Sequence, residues 1–354
     1  MKMNSYNVIG VMSGTSLDGV DLCYVRFSFD THWSFEILKA ETINYDDGWV
    51  ERLKEGIHLS KASIDVLDED YTNYLGRLIN NFIHKNDILE VDAVCSHGHT
   101  VFHQPENKLT VQIGNMAELA TIIDQTLVCD FRVQDVMLDG QGAPLVPIGD
   151  KFLFHDYSFC LNLGGFANAS YEQDSKRIAY DICPVNIVLN HYVNILGFNY
   201  DNNGEVAASG TINNHLFKSL NDLEFYKKSH PKSLGLEWVE LNVFPMIDVL
   251  NLQVKDVLRT VVEHAAFQIG VEINKLQKGN VFITGGGVFN SFLMGRISYY
   301  SKREIVIPSS EIIDYKEALI FGFLGILKLR DEVNCLSSVT GANMDHSSGN
   351  IFYP

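Results

Sequence analysis

The chain has 354 residues, 46% of them hydrophobic and 11% aromatic, with a formal net charge of −17. That size suggests about two domains with substantial cores. The acidic balance without a basic cluster argues against nucleic acid as a partner, and no run approaches the ~18 continuous apolar residues of a membrane span.

The first predicted element is a strand through Val8, Ile9 and Val11, and it runs into Ser13-Gly14-Thr15-Ser16-Leu17-Asp18-Gly19. A second strand leaves through Val20, Leu22, Tyr24 and Val25. A turn of glycine and hydroxyl residues can cradle phosphate oxygens, because the backbone approaches closely and its amides carry positive dipole. Asp18 and Asp21 follow and could hold a hydrated metal cation. An ordinary β-hairpin accounts for the same residues equally well. A Walker P-loop does not, since Val20 stands where its lysine must be and the continuation is a strand.

Residues 64–83 then have helical spacing, with Asp65, Asp68, Glu69 and Asp70 biased to the first turns. A strand over 91–95 leads into Ser96-His97-Gly98-His99-Thr100. His97, His99 and His103 invite a zinc site, but no fourth ligand is evident. A helix over 116–124, a strand over 126–131 and a breaker-rich loop over 139–144 follow. The six cysteines are scattered without a C-x-x-C pair, and the polar N-terminal residues contain no secretory apolar core. The cytoplasm is therefore the expected compartment.

At Phe159 the opening pattern returns: a strand to Leu163, the turn Gly164-Gly165, and a return strand from Phe166 to Tyr171. The two strand–glycine turn–strand units lie about 150 residues apart, which suggests two similar lobes around a cleft. Asp181 follows, with Pro184 suited to the first turn of a helix. It could act as a general base or as a helix cap, and spacing alone favours the cap. A long amphipathic helix from Val254 to Leu276, a strand over 280–284, the triplet Gly285-Gly286-Gly287 and a helix from Ser291 to Tyr300 complete the second half. Bare backbone before a helix suits a nucleotide's sugar and phosphates.

The strings Gly14-Thr15-Ser16-Leu17-Asp18-Gly19-Val20-Asp21 and Gly140-Gln141-Gly142-Ala143-Pro144-Leu145-Val146-Pro147 resemble the anhydro-N-acetylmuramic acid kinase family. So do Ser96 to Val101, Thr110 to Gly114, Asn162 to Gly165, Thr284 to Gly287, Glu317 to Leu319 and Ser338 to Ala342, in family order. The resemblance implies an α/β, two-lobed actin-like ATPase/sugar kinase fold with a duplicated βββαβα core and a central cleft. One lobe would comprise residues 1–130, with 335–354 packing back onto it, and the other residues 131–334. It also implies ATP and Mg²⁺ as cofactors, an amino sugar as the small-molecule partner, a homodimer as a compatible assembly, and a cytoplasmic step of cell-wall recycling. The sugar's 6-oxygen would be phosphorylated while water opens its 1,6-anhydro bridge.

By the same resemblance Asp181 would activate that water. Gly14, Thr15, Ser16, Leu17, Asp18, Gly19, Val20 and Asp21 would face ATP, with Gly164, Gly165, Gly285, Gly286 and Gly287 also on the nucleotide side. Asp18 and Asp21 would hold Mg²⁺, and His97, Arg132, Gln141, Asn186 and Glu317 would contact the sugar. The chain departs from the family at Ile182-Cys183, where Thr-Gly is usual, at Asn190, usually an acid, at Leu236, usually arginine, and in the thinned segment Arg132-Val133-Gln134-Asp135. These departures fall on the presumed sugar side. A kinase for a related amino sugar and an ATP-binding regulator without transfer activity are the alternatives.

Overall fold

β1 (Ser5–Ser13), β2 (Gly19–Phe29) and β3 (Trp33–Asn44) form an antiparallel meander. β4 (Ala93–Gln104) joins parallel to β1, β5 (Leu109–Ile113) folds back antiparallel on β4, and β6 (Leu127–Cys129) pairs parallel to β4. The second sheet repeats the plan. β7 (Phe159–Leu163), β8 (Phe166–Gln173) and β9 (Lys176–Pro184) form its meander, β10 (Val281–Thr284) joins parallel to β7, and β11 (Ile305–Val306) pairs parallel to β10. β12 (Asn350–Phe352) closes the first sheet antiparallel to β6. In this computed structural model, which describes residues 4–14 and 16–354, both sheets therefore carry the βββαβα core expected of an actin-like ATPase/sugar kinase fold.

The chain divides into one unit of residues 1–153 and 315–354 and a second of residues 154–314. The expected divisions at 130/131 and 334/335 are displaced by packing. Residues 131–153 stay with the first sheet because Arg132 bonds His97 and Asp135 bonds Thr340. The helix Ser310–Leu329 starts in the second unit, but its remainder covers the first sheet. Gly10 on β1 lies so close to it that a Cβ there would stand 1.9 Å from the Ala318 carbonyl oxygen.

In the first unit, the helix Lys61–Lys85 lays Leu67, Tyr71, Leu75, Ile79 and Phe82 against the sheet. Burial of each such side chain contributes about 1.5–3 kcal/mol. The helix starts earlier than the periodicity predicts, because the Ser60 hydroxyl accepts the Ser63 amide as an N-cap. No acid lies in the first turn. Asp68 instead accepts the Gly114 amide at 2.7 Å and so anchors the end of β5.

In the second unit, Val254–Ile273 is the central helix and is buried on more than its expected apolar face. Its inward polar residues are paired: Glu263 with Arg296 and Tyr300, His264 with Tyr226 and Asn221, Glu272 with Tyr180. Among the described residues no helix is long and apolar enough to cross a membrane, and the buried cysteines form no disulfide.

Candidate active site

The first glycine turn connects β1 to β2, with Met12 opposite Asp21 and Ser13 opposite Val20. Gly14 is partly exposed, and a Cβ added there would meet only Ser16, at 3.2 Å from its hydroxyl oxygen. Neither packing nor backbone conformation demands glycine at this position. Gly19 is different: its Cβ would stand 2.4 Å from the Ile43 carbonyl oxygen, so β3 itself requires the glycine. Leu17 sits in the left-handed region at φ 61°, and Val20 is buried in the sheet core. Ser16 and Asp18 are exposed, and Asp21 accepts the Thr42 hydroxyl at 2.6 Å. Thr15 lies outside the described residues.

Behind this turn runs a buried chain of hydroxyls. Ser13 Oγ stands 2.6 Å from the Tyr45 hydroxyl and 2.9 Å from His99 Nδ1, and Tyr45 stands 2.5 Å from the Tyr71 hydroxyl. Burial pushes the His99 pKa down to about 4 and the Tyr45 pKa up to about 12, so the chain is uncharged at neutral pH. It fixes the C-terminal end of β1 from below. Sequence reading missed Tyr45 and Tyr71, because a tyrosine in an amphipathic pattern reads as core.

In the second unit, the turn Gly164-Gly165 spends its carbonyls on the next helix. The Gly165 carbonyl accepts from Val185 and Ile187 at 2.8 and 3.2 Å, and the Gly164 carbonyl from Asn186 at 3.3 Å. Its backbone thus caps the helix Asn186–Val193, whose N-cap Val185 has no capping side chain. The triplet 285–287 also divides its labour. Gly285 has φ 87° and, like Gly287, packs on Leu163, whereas a Cβ on Gly286 would meet nothing within 4 Å. A short 3₁₀ turn, Gly286–Phe289, follows, and Asn290 then caps the helix Ser291–Tyr300. The triplet therefore does not itself open that helix. Asn186 Nδ2 lies near the same corner, 3.6 Å from where a Gly287 Cβ would be.

Asp181 is a residue of β9, not a helix cap. Pro184 likewise ends that strand instead of starting the helix. The Asp181 amide donates to the Lys232 carbonyl at 3.1 Å, and its Oδ2 accepts the Leu234 amide at 2.8 Å. A strap over 232–234 therefore fixes both the backbone and the carboxylate. Burial raises the Asp181 pKa from 3.8, and the Leu234 amide opposes the shift. Lys232 itself is withdrawn, with its ammonium over the Tyr180 and Phe225 rings and 3.8 Å from Glu272. Leu236 begins a helix and is exposed, while Cys183 is buried against Ala265.

A second constellation lies in the first unit. His97 Nδ1 donates to the Gly98 carbonyl at 2.8 Å, so its Nε2 accepts Arg132 Nε, also at 2.8 Å. Arg132 also donates to the Gly142 carbonyl at 2.6 Å, next to the exposed Gln141. Burial, helped by the Arg132 charge, holds the His97 pKa well below its ordinary value, so the ring is a neutral acceptor. Glu317 keeps an exposed side chain, yet desolvation by surrounding protein raises its pKa against the pull of Arg132 and Lys316.

Asp135, which sequence reading passed over, holds this corner together by accepting the Gly142 amide and the Thr340 hydroxyl, both at 2.7 Å. The signal was a buried acid a few residues before Gly-Gln-Gly. Among the described residues the three histidines join no metal cluster: His97 and His99 engage Arg132 and Ser13, and His103 faces Thr110.

A family model described as anhydro-N-acetylmuramic acid kinase matches residues 6–354. The enzyme of that name from Mannheimia succiniciproducens is 34% identical over 371 residues, covering 97% of this chain and 98% of that one. Its namesake from Haemophilus influenzae is 31% identical over 382 residues, covering 99% of each. Among solved structures, the ligand-bound xylulose kinase of Lactobacillus acidophilus is similar at a TM-score of 0.44 and 10% identity, over 98% of this chain and 94% of that one. With a family match over almost its whole length and relatives above 30% identity at near-complete coverage, the chain belongs to the anhydro-N-acetylmuramic acid kinase family.

Proposed function

We propose that this chain is an ATP-dependent phosphotransferase that opens the 1,6-anhydro ring of anhydro-N-acetylmuramic acid and phosphorylates its O6, giving N-acetylmuramate 6-phosphate. The observation that carries the reading is Asp181: a carboxylate held at its backbone and at one oxygen, partly desolvated, in a chain of this family. Its second oxygen accepts a proton from water as the water oxygen bonds to C1. The C1–O6 bond breaks, O6 bonds to the γ-phosphorus, and ADP leaves with the oxygen that joined it to that phosphorus. A raised pKa makes Asp181 a stronger base than an exposed carboxylate.

Gly14 and Gly286 supply backbone without side-chain cover for the nucleotide, which suits a reaction that needs mainly positioning and charge neutralisation. Asp18 and Asp21 offer the hard carboxylate oxygens that suit Mg²⁺, with Asp18 exposed and Asp21 partly so. Mg²⁺ bound there would neutralise phosphate charge. His97, Arg132, Gln141 and Glu317 form the sugar-recognition group in this reading, with Arg132 as its cation. Asn186, beside the Gly287 turn, is a further sugar contact in this reading.

The curated relatives favour this reading over an inactive regulator or a kinase for another amino sugar. The test is incubation with 1,6-anhydro-N-acetylmuramate and Mg·ATP, followed by mass spectrometry. ADP with a singly phosphorylated, ring-opened sugar is expected. ATP that persists with an unchanged anhydro sugar overturns the reading.

A further inference from the structure

Three side chains from separate segments meet in the first unit, beside the Arg132 corner. Asp135 lies on the short helix Val133–Met137, while Cys335 and His346 face each other across an isolated antiparallel bridge. Their backbones exchange hydrogen bonds at 3.1 and 3.2 Å, which sets both side chains on one face. A carboxylate oxygen, a sulfur and an imidazole nitrogen lie within 4.8 Å of one another, and all three residues are buried.

His346 Nδ1 donates to the Met344 carbonyl at 3.1 Å, leaving Nε2 aimed inward, 3.5 Å from Asp135 Oδ1. That nitrogen is buried and has no hydrogen-bond partner among the described residues. An orphaned ring nitrogen at this depth needs a reason. An imidazole oriented through its other nitrogen by a carbonyl is the usual bearing of a histidine that ligates a metal. Asp135 is braced in the same way, by the Thr340 hydroxyl on Oδ1 and the Gly142 amide on Oδ2.

We infer that Asp135, Cys335 and His346 form a three-donor site for a divalent transition metal of the zinc class, with a water as its fourth ligand. Sulfur and imidazole donors select zinc or cobalt over the magnesium that accompanies ATP. Bonds of about 2.0–2.3 Å draw the three donors closer than they stand, within reach of small side-chain rotations. On binding, the Cys335 S–H bond breaks, a sulfur–metal bond forms, and the proton passes to solvent. The ion ties the C-terminal segment at Cys335 and His346 to the Asp135 end of the loop that bears Gly142. It supports the Arg132 corner without touching the reaction.

The test uses the full chain, stripped with a chelator and checked for folding by circular dichroism. Cobalt(II) is then added in the presence of excess Mg²⁺. One equivalent should bind, with a near-ultraviolet thiolate-to-cobalt charge-transfer band that zinc displaces. Cys335→Ser should abolish the band, and His346→Gln should weaken cobalt binding by at least about tenfold. A folded wild-type protein without the band, or a band that survives in Cys335→Ser, overturns the proposal and leaves an Asp135–His346 contact alone.

Discussion

Asp181 and a strand residue of ordinary pattern look alike in sequence, and the difference between them is the strap that reaches its carboxylate. Because Leu234 fixes only one oxygen, Asp181→Asn should preserve the strand and ATP affinity while reducing turnover on the order of 10²–10⁴-fold. Calorimetry and an ADP assay measure the two effects. A variant within a few-fold of wild type would return Asp181 to a structural role. The pH profile gives an independent reading. Burial raises the Asp181 pKa, so protonation disables the base at a higher pH than for an exposed aspartate. The acidic limb of kcat/KM should accordingly lie at higher pH than an exposed aspartate would give, and Asp181→Asn should lack it.

At the scale of elements, glycines that look equivalent in sequence separate by what surrounds them. Gly14→Val and Gly286→Val meet little or nothing in the fold, so both variants should melt like wild type yet lose more than about tenfold in Mg·ATP affinity. Unchanged affinity in both would move the nucleotide elsewhere. Gly10→Ala should instead lower Tm, since its methyl group meets the Ala318 carbonyl and overpacking of this kind costs about 1–3 kcal/mol. Leu236→Arg, at an exposed helix start, should keep its Tm and lower the KM for the anhydro sugar. A raised KM would place anion recognition on Arg132 alone.

The elements themselves were largely legible. The hairpins around Gly14 and Gly164, the helix Ser291–Tyr300 and the strand before Gly285 all follow from local periodicity and breakers. What local pattern does not carry is long-range satisfaction of polar groups. Neither Asp135 with Thr340, nor Asp181 with Leu234, nor the Ser13–Tyr45–Tyr71 chain is visible within a short window. The same limit hid the extra buried sides of Val254–Ile273, whose glutamates and histidine find partners on other elements.

For the molecule as a whole, duplication explains why glycine turns recur at equivalent places. Each sheet starts from the same meander, and in each the turn after the first strand stands at the end of that strand beside its parallel neighbour. The repeat has diverged in use: the first turn leaves Gly14 uncovered, while the second spends its carbonyls on the helix Asn186–Val193. On this account the reaction joins hydrolysis of an internal acetal to phosphoryl transfer. Isotope labelling tests that coupling most directly. With 1,6-anhydro-N-acetylmuramate and Mg·ATP in ¹⁸O-labelled water, the label should enter the product at C1 and be absent from the transferred phosphoryl group, because water attacks carbon while O6 attacks phosphorus. Label in released phosphate, with the anhydro sugar intact, would mean simple ATP hydrolysis and would contradict the account.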